Sequence, residues 1–288
     1  MLVELNNACL RVVINSKGAE LQSVLAKDGH EYIWSGDPAV WAGRAPVLFP
    51  IVGGIIDDEY TYAGKTYPLA KHGFARLMDF TVEKAEATEA IFLLTATSET
   101  KRQYPFDFAF RVIFSLQQNT LSVEYRVDNP EERTLYFSFG AHEAYACPGG
   151  ISNYRLEFEQ AAPTERFLVD GNFLNGVSVP VPSQGNILPM QDAFFEEDAL
   201  IFPDIASKKV RLVRDDLKKN VTVTYPGFDN LLIWTKPGAE YLCIEPWDGI
   251  PDAVGADKAL ETKTGMVALA AGESYGLTHT IIFEDEVE

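Results

Sequence analysis

The chain has 288 residues, 47% hydrophobic and 12% aromatic, and sets 24 Lys and Arg against 42 Asp and Glu for a formal net charge of −18. A chain of this length and apolar content buries a large core without disulfides or a structural metal. Its charge repels phosphate backbones and anionic lipid, which excludes nucleic-acid and membrane-surface roles and favours small neutral ligands.

Period-2 alternation rich in β-branched and aromatic residues predicts strands at 9–14 and 19–26. Asp37-Pro38 has the form of an N-cap followed by Pro at the first helical position. Arg44 follows Trp41 and precedes the apolar run Ala45 to Val52, so it is partly buried and needs a partner. Tyr60 to Tyr67 reads as a hairpin turning at Ala63-Gly64. The next segment, Lys71-His72-Gly73-Phe74-Ala75-Arg76, lacks alternation and reads as a loop. Gly73 lets its backbone turn or approach a ligand, and Arg76 is fit to fork onto hydroxyls, a carboxylate or a phosphate. A plain surface loop with a solvated Arg is the other reading.

Strands are predicted at 78–86 and 90–97. Ser98 to Gln103 forms at most one or two helical turns before Pro105. Phe108 to Leu116 and Leu121 to Val127 are joined through Gln117 to Thr120, a hairpin connection. At 134–140, alternation puts Leu135, Phe137 and Phe139 on one face and Tyr136, Ser138, Gly140 and His142 on the other. His142 thus ends on the polar face, either as a strand-capping histidine or as an acid–base group.

Further strands are predicted at 153–159, 210–214, 220–225, 230–235, 241–245 and 275–283. Asp198 lies in Phe194 to Phe202 beside Glu196 and Glu197, as a binding carboxylate or as part of a solvated acidic turn. Glu245 closes the apolar strand Tyr241 to Ile244 and is followed by Pro246 and Trp247. A carboxylate in such a setting is partly desolvated, gains proton affinity and suits a general base. Asp229 and Asp248 read as ordinary loop carboxylates, and His30 and His279 as structural. The four tryptophans, with Phe49, Tyr145 and Phe228, are candidates for a sugar-stacking cleft or, more simply, for the core.

Many short strands, almost no helix and no linker predict one all-β domain over residues 1–288, a large antiparallel β-sandwich. Cys9, Cys147 and Cys243 have neither disulfide-framework nor zinc spacing. With no basic n-region at the start and no apolar run near 18 residues, the expectation is a cytoplasmic protein. Phosphate-loop, dinucleotide, H-E-x-x-H and G-x-S-x-G signatures are missing, which disfavours cofactor chemistry.

Gly43-Arg44, His72-Gly73-Phe74-Ala75-Arg76, Gly140-Ala141-His142 and Glu245-Pro246-Trp247, in this order, resemble the aldose 1-epimerase (mutarotase) family, and the whole chain resembles its compact LacX-like branch. The resemblance implies a galactose mutarotase-like β-supersandwich with an open sugar cleft, no metal and no organic cofactor; monomer and homodimer, the latter through an open sheet edge, both stay open. It implies Glu245 as the general base on the anomeric hydroxyl and His142 as the acid on the ring oxygen. His72, Arg44, Arg76 and Asp198 follow as substrate-binding residues. The substrate is then a hexose such as galactose or glucose. The His-Gly-Phe-Ala-Arg form also resembles the hexose-6-phosphate branch, with a free aldose or a sugar phosphate as ligand. A non-catalytic sugar-binding protein with the same cleft and a two-carboxylate glycoside hydrolase are the other readings. The family commonly has Pro after the catalytic histidine. Glu143 stands there instead, and is expected to loosen the backbone at His142 and raise its pKa.

Overall fold

In the computed structural model, which describes residues 1–284, the alternating segments assemble into antiparallel sheets. The largest has nine strands and centres on Ser274–Phe283, which pairs with Thr120–Asp128 on one side and Val221–Thr224 on the other. The second has seven strands and centres on Tyr241–Asp248, flanked by Asn230–Trp234 and by Phe139–Gly140 and Glu143–Ala146. A three-stranded sheet and two two-stranded ribbons complete the strand inventory among the described residues. Helix is limited to short 3-10 turns, Thr100–Arg102 being one. Asp37-Pro38 starts no helix; residues 38–40 form a turn, with Asp37 accepting from the Val40 and Trp41 amides.

The hairpin read at 108–127 is present, its first arm shifted by one residue to Ala109–Gln117 and its second lengthened to Thr120–Asp128, paired from Ala109 opposite Asp128 to Gln117 opposite Thr120. Their buried positions alternate, as expected for strands with one face in the core. Tyr241–Asp248, by contrast, is buried at every position. Leu242 and Ile244 join the main core, together with Leu231, Ile233, Leu200 and Phe202 of the neighbouring strands. The intervening residues face the other way, where Ile201, Leu232 and Trp247 pack with Leu48 and Val52 in a separate cluster. The main core takes residues from Val3 to Phe283. The last residues of the expected 1–288 domain, 285–288, lie outside those described.

The segment 44–53 runs along the edge of the seven-stranded sheet, beside Phe139–Gly140 and Glu143–Ala146, and is laced to it. Leu48 and Gly140 exchange amide-to-carbonyl bonds of 3.0 and 3.2 Å, Ala144 donates to the Arg44 carbonyl, and Ser138 donates its amide to the Pro50 carbonyl. The loop after Pro68 rests on this segment through bonds from the Phe74 and Ala75 amides to the Phe49 carbonyl. Gly73 makes the close approach possible: its φ is +65°, and a Cβ there would stand 2.3 Å from the Phe49 oxygen.

Candidate active site

Between the outer face of the seven-stranded sheet and these two segments is an open cavity of about 310 Å³. Its floor is the set of side chains that alternation turns away from the core: Glu245 and Trp247 from the central strand, Leu232 and Trp234 beside them, and Ile201. Trp41, Pro46, Leu48 and Gly53 form one wall, Lys71, His72 and Arg76 another, and Val169, Asn172, Asp198 and Ala199 a third.

His142 and Glu245 meet on this floor, with His142 Nδ1 3.4 Å from Glu245 Oε1. Glu245 is 2% exposed and His142 9%. His142 Nδ1 has no formed hydrogen bond. The indole of Trp41 stacks on the imidazole at 5.3 Å and that of Trp234 meets its edge at 5.8 Å. The histidine lies between Phe139–Gly140 and Glu143–Ala146, where the Ala141 amide donates to the Pro246 carbonyl and Trp247 Nε1 donates to the Ala141 carbonyl. Both flanks of His142 are thereby tied to the strand that carries Glu245.

Burial acts on the two groups in opposite directions, because it penalises whichever form is charged. It pushes Glu245 well above the usual carboxylate range, with Lys71 opposing and Asp198 and Glu143 adding to the effect. It pulls His142 down to about 3, helped by the positive charges of Lys71 and Arg76 and opposed by a bond to its own backbone. Both shifts favour uncharged forms, and with both groups neutral the pair holds one proton and no net charge. Moving that proton from Glu245 to His142 creates a carboxylate base and an imidazolium acid in one step.

His72 faces His142 edge-on at 5.8 Å. Its backbone φ of +68° is held by reciprocal bonds to Gly53: the His72 amide donates to the Gly53 carbonyl, and the Gly53 amide donates to His72 Nδ1 at 3.1 Å. Burial first, then His142, Lys71 and Arg76, keep the ring well below the ordinary histidine pKa and therefore neutral. With Nδ1 accepting, the proton sits on Nε2, and the ring is a neutral donor.

Of the residues singled out in the sequence, the cavity brings together Glu245, His142, His72, Arg76 and Asp198. Asp198 adopts φ +78° and accepts from the Ala199 amide at 2.9 Å. Arg44 does not line the cavity. Its partner is the Gln22 carbonyl, to which Nη1 donates at 2.9 Å, and its amide donates to Glu20. Arg44 builds the wall backbone and sends no charge into the cleft. The expectation for Glu143 is also corrected: it is buried, and the His142 pKa goes down, because desolvation dominates and the charges of Lys71 and Arg76 add to it. Asp248 lies in a different cavity with Asp204 and Asp229. Trp41, Trp234 and Trp247 line the cleft, while Phe49, Tyr145 and Phe228 are core residues. Sequence reasoning passed over Lys71 and Asn172, which bond to each other at 2.9 Å across the cavity wall. Lys71 had the signal of standing next to His72; Asn172 had none beyond the turn residues Gly171-Asn172. Cys243 is also buried here, with a donor atom within 4.8 Å of those of His142 and Glu245; burial, then Glu245 and Glu143, hold its thiol well above the usual range.

An antiparallel supersandwich with a histidine–glutamate pair on the floor of an aromatic-lined cleft defines the galactose mutarotase-like class of carbohydrate-binding proteins. Residues 1–281 match the family described as aldose 1-epimerase, and the chain belongs to that family. It is 30% identical to the chromosomally encoded Protein LacX of Lactococcus lactis subsp. lactis over 96% of this chain and 99% of that protein. The structure superposes with a TM-score of 0.95 on a galactose mutarotase related enzyme from Lactobacillus acidophilus, at 34% identity over 100% of this chain and 99% of the other. A galactose mutarotase-like protein from Lactobacillus casei gives a TM-score of 0.93 at 31% identity, covering 99% and 100% of the two chains.

Proposed function

We propose that the protein is a LacX-like aldose 1-epimerase that interconverts the α and β anomers of a hexose such as galactose or glucose. The observation that carries this reading is the buried His142–Glu245 pair, 3.4 Å apart on the cavity floor. Glu245, as carboxylate, takes the proton from the anomeric hydroxyl. The bond from C1 to the ring oxygen breaks, and His142 protonates that oxygen to give the open-chain aldehyde. Rotation about C1–C2 presents the other carbonyl face, and the same transfers run backward to close the ring. His72 donates Nε2–H to a sugar oxygen, Asp198 and Arg76 hold hydroxyls, and the indoles supply apolar surface for the ring. The net charge of −18 supports a small neutral substrate over a polyanion.

One observation favours a second reading. Lys71 and Arg76 both line the cavity, and Arg76 Nε is buried without a hydrogen-bond partner, which suits a hexose phosphate. Polarimetry of freshly dissolved α-D-galactose, α-D-glucose and their 6-phosphates separates the two. Faster relaxation of the free sugars supports the first reading, and acceleration of the phosphates alone supports the second. Acceleration of neither, with binding intact, identifies a sugar-binding protein, and release of reducing sugar from galactosides identifies a hydrolase.

A further inference from the structure

Glu143 and His279 make a contact that the chemistry above does not use. Alternation sends Glu143 the opposite way from His142: it pairs across from Ile244, on the core side of the seven-stranded sheet. There its Oε1 lies 3.0 Å from Nε2 of His279, which is 0% exposed on the central strand of the nine-stranded sheet. The rings of Tyr125 and Phe228 pack on that imidazole at 5.6 and 6.2 Å. The contact joins the two sheets directly beneath the site.

As a stabilising device this pair is poorly made. Glu143 Oε2 and His279 Nδ1 are buried and have no hydrogen-bond partner, and a half-satisfied polar network is worse for stability than apolar packing. A local rule broken in the core, one residue from the site, points to service of that site. Glu143 is bonded through one peptide to His142, so whatever fixes its side chain fixes the backbone that presents the imidazole. Its charge also reaches Glu245 from below, in the sense that holds the Glu245 proton on, as does that of Asp198; Lys71 acts in the opposite sense. The other groups facing Glu143 are Tyr125 and Tyr145, with Cys243 on the adjacent strand.

Resting on the mutarotase reading, we propose that Glu143 and His279 form a positioning pair: His279 anchors Glu143, and Glu143 fixes the peptide of His142 and sets a buried negative charge behind Glu245. The test is the pH profile of kcat/KM for mutarotation in Glu143→Gln, in His279→Gln and in the double variant Glu143→Leu/His279→Leu. Glu143→Gln removes the charge and should move the alkaline limb to lower pH, because Glu245 then releases its proton more readily. His279→Gln keeps an N–H donor toward Glu143 and should leave that limb in place. The double leucine variant should fold with unchanged or raised Tm and lose roughly 10- to 100-fold in kcat with KM within about twofold, the signature of lost positioning and not of lost binding. If the double variant does not fold, the two glutamine variants decide. Wild-type kcat and an unmoved limb in all folded variants would overturn the proposal. Should the wild type turn over no sugar, the functional reading fails separately. Carbon-13 NMR titration of the Glu245 carboxyl then tests the pair without turnover, and identical titrations in wild type and Glu143→Gln would refute it.

Discussion

Replacing Glu245 by Gln separates catalysis from stability. The substitution is isosteric, so it opens no hole beneath the cavity, and the Leu232, Trp247 and His142 neighbours keep their contacts. It deletes the only atom set proposed to take the anomeric proton. Loss of one positioned base slows the reaction about 10²–10⁴-fold, which is about 2.7–5.5 kcal/mol in activation free energy. Stability moves the other way. Burial raises the Glu245 pKa, so the folded state binds its proton more tightly than the unfolded chain does. That contribution is complete below the unfolded value near 4.5 and is lost as pH rises through the folded value. A neutral amide loses nothing with pH. The Tm of Glu245→Gln minus that of wild type should therefore grow from about pH 5 upward, each 1 kcal/mol corresponding to roughly 2 °C for a chain of this size. Polarimetry on free hexoses and thermal melts from pH 4 to 9 measure the two effects. A folded variant keeping more than about a tenth of wild-type activity would refute the base assignment, and a Tm difference independent of pH would refute the burial argument.

Further outcomes follow from the same geometry. Since burial holds His142 down to about 3, the pH profile of kcat/KM should lack an inflection near 6.5, the value of an ordinary histidine; one there that His142→Asn removes would contradict the burial argument. Lys71→Met removes the charge that lowers the Glu245 proton affinity, so the alkaline limb of that profile should move to higher pH; a move to lower pH would reverse the sign of the argument. Gly73→Ala sets a Cβ against the Phe49 carbonyl at positive φ and should cost roughly 2–4 kcal/mol by denaturant unfolding, with loss of activity in what still folds. Cys9 is exposed while Cys147 and Cys243 are buried, so a disulfide-exchange reagent should titrate one thiol in the native protein and all three after denaturation.

Strands with one face in water were legible in the sequence because period 2 survives there, as in Ala109–Gln117 and Thr120–Asp128. Elements lacking that contrast were read unevenly: Val221–Thr224 and Asn230–Trp234 showed through their apolar and β-branched content, others did not, and the alternating Leu2–Asn6 was passed over. Leu200–Phe202 is buried throughout and only three residues long, and Phe173–Pro180 is largely exposed, so neither alternates. Tyr241–Asp248 was read three residues short because Pro246 and Trp247 look like a strand end, yet both lie within the sheet. Within the site, His142, His72, Arg76, Glu245 and Asp198 were found through their neighbours, and the cavity contains all five. Arg44 was misplaced because a charge in an apolar run demands a partner without saying which, and the Gln22 carbonyl, far off in sequence, meets the demand. The direction of Glu143 was hidden for a related reason: alternation restarts after the break at Ala141 and His142, and only the completed register shows that it faces His279.

The cavity floor and its rim are made of different material. Glu245 and its neighbours ride on paired strands whose opposite face is the main core, so the proton-handling geometry cannot drift without unfolding the sheet. Lys71, Asn172 and Asp198 sit on connections between elements, the parts of a fold that vary most readily, although Gly73 pins the first of them to the Phe49 carbonyl. Of these rim residues, Asn172 is the one that neither sets the proton affinity of Glu245 nor neighbours His72 in the chain. On the proposed reading, a lineage can change its ligand at the Asn172 turn first, where the proton-handling floor is left untouched.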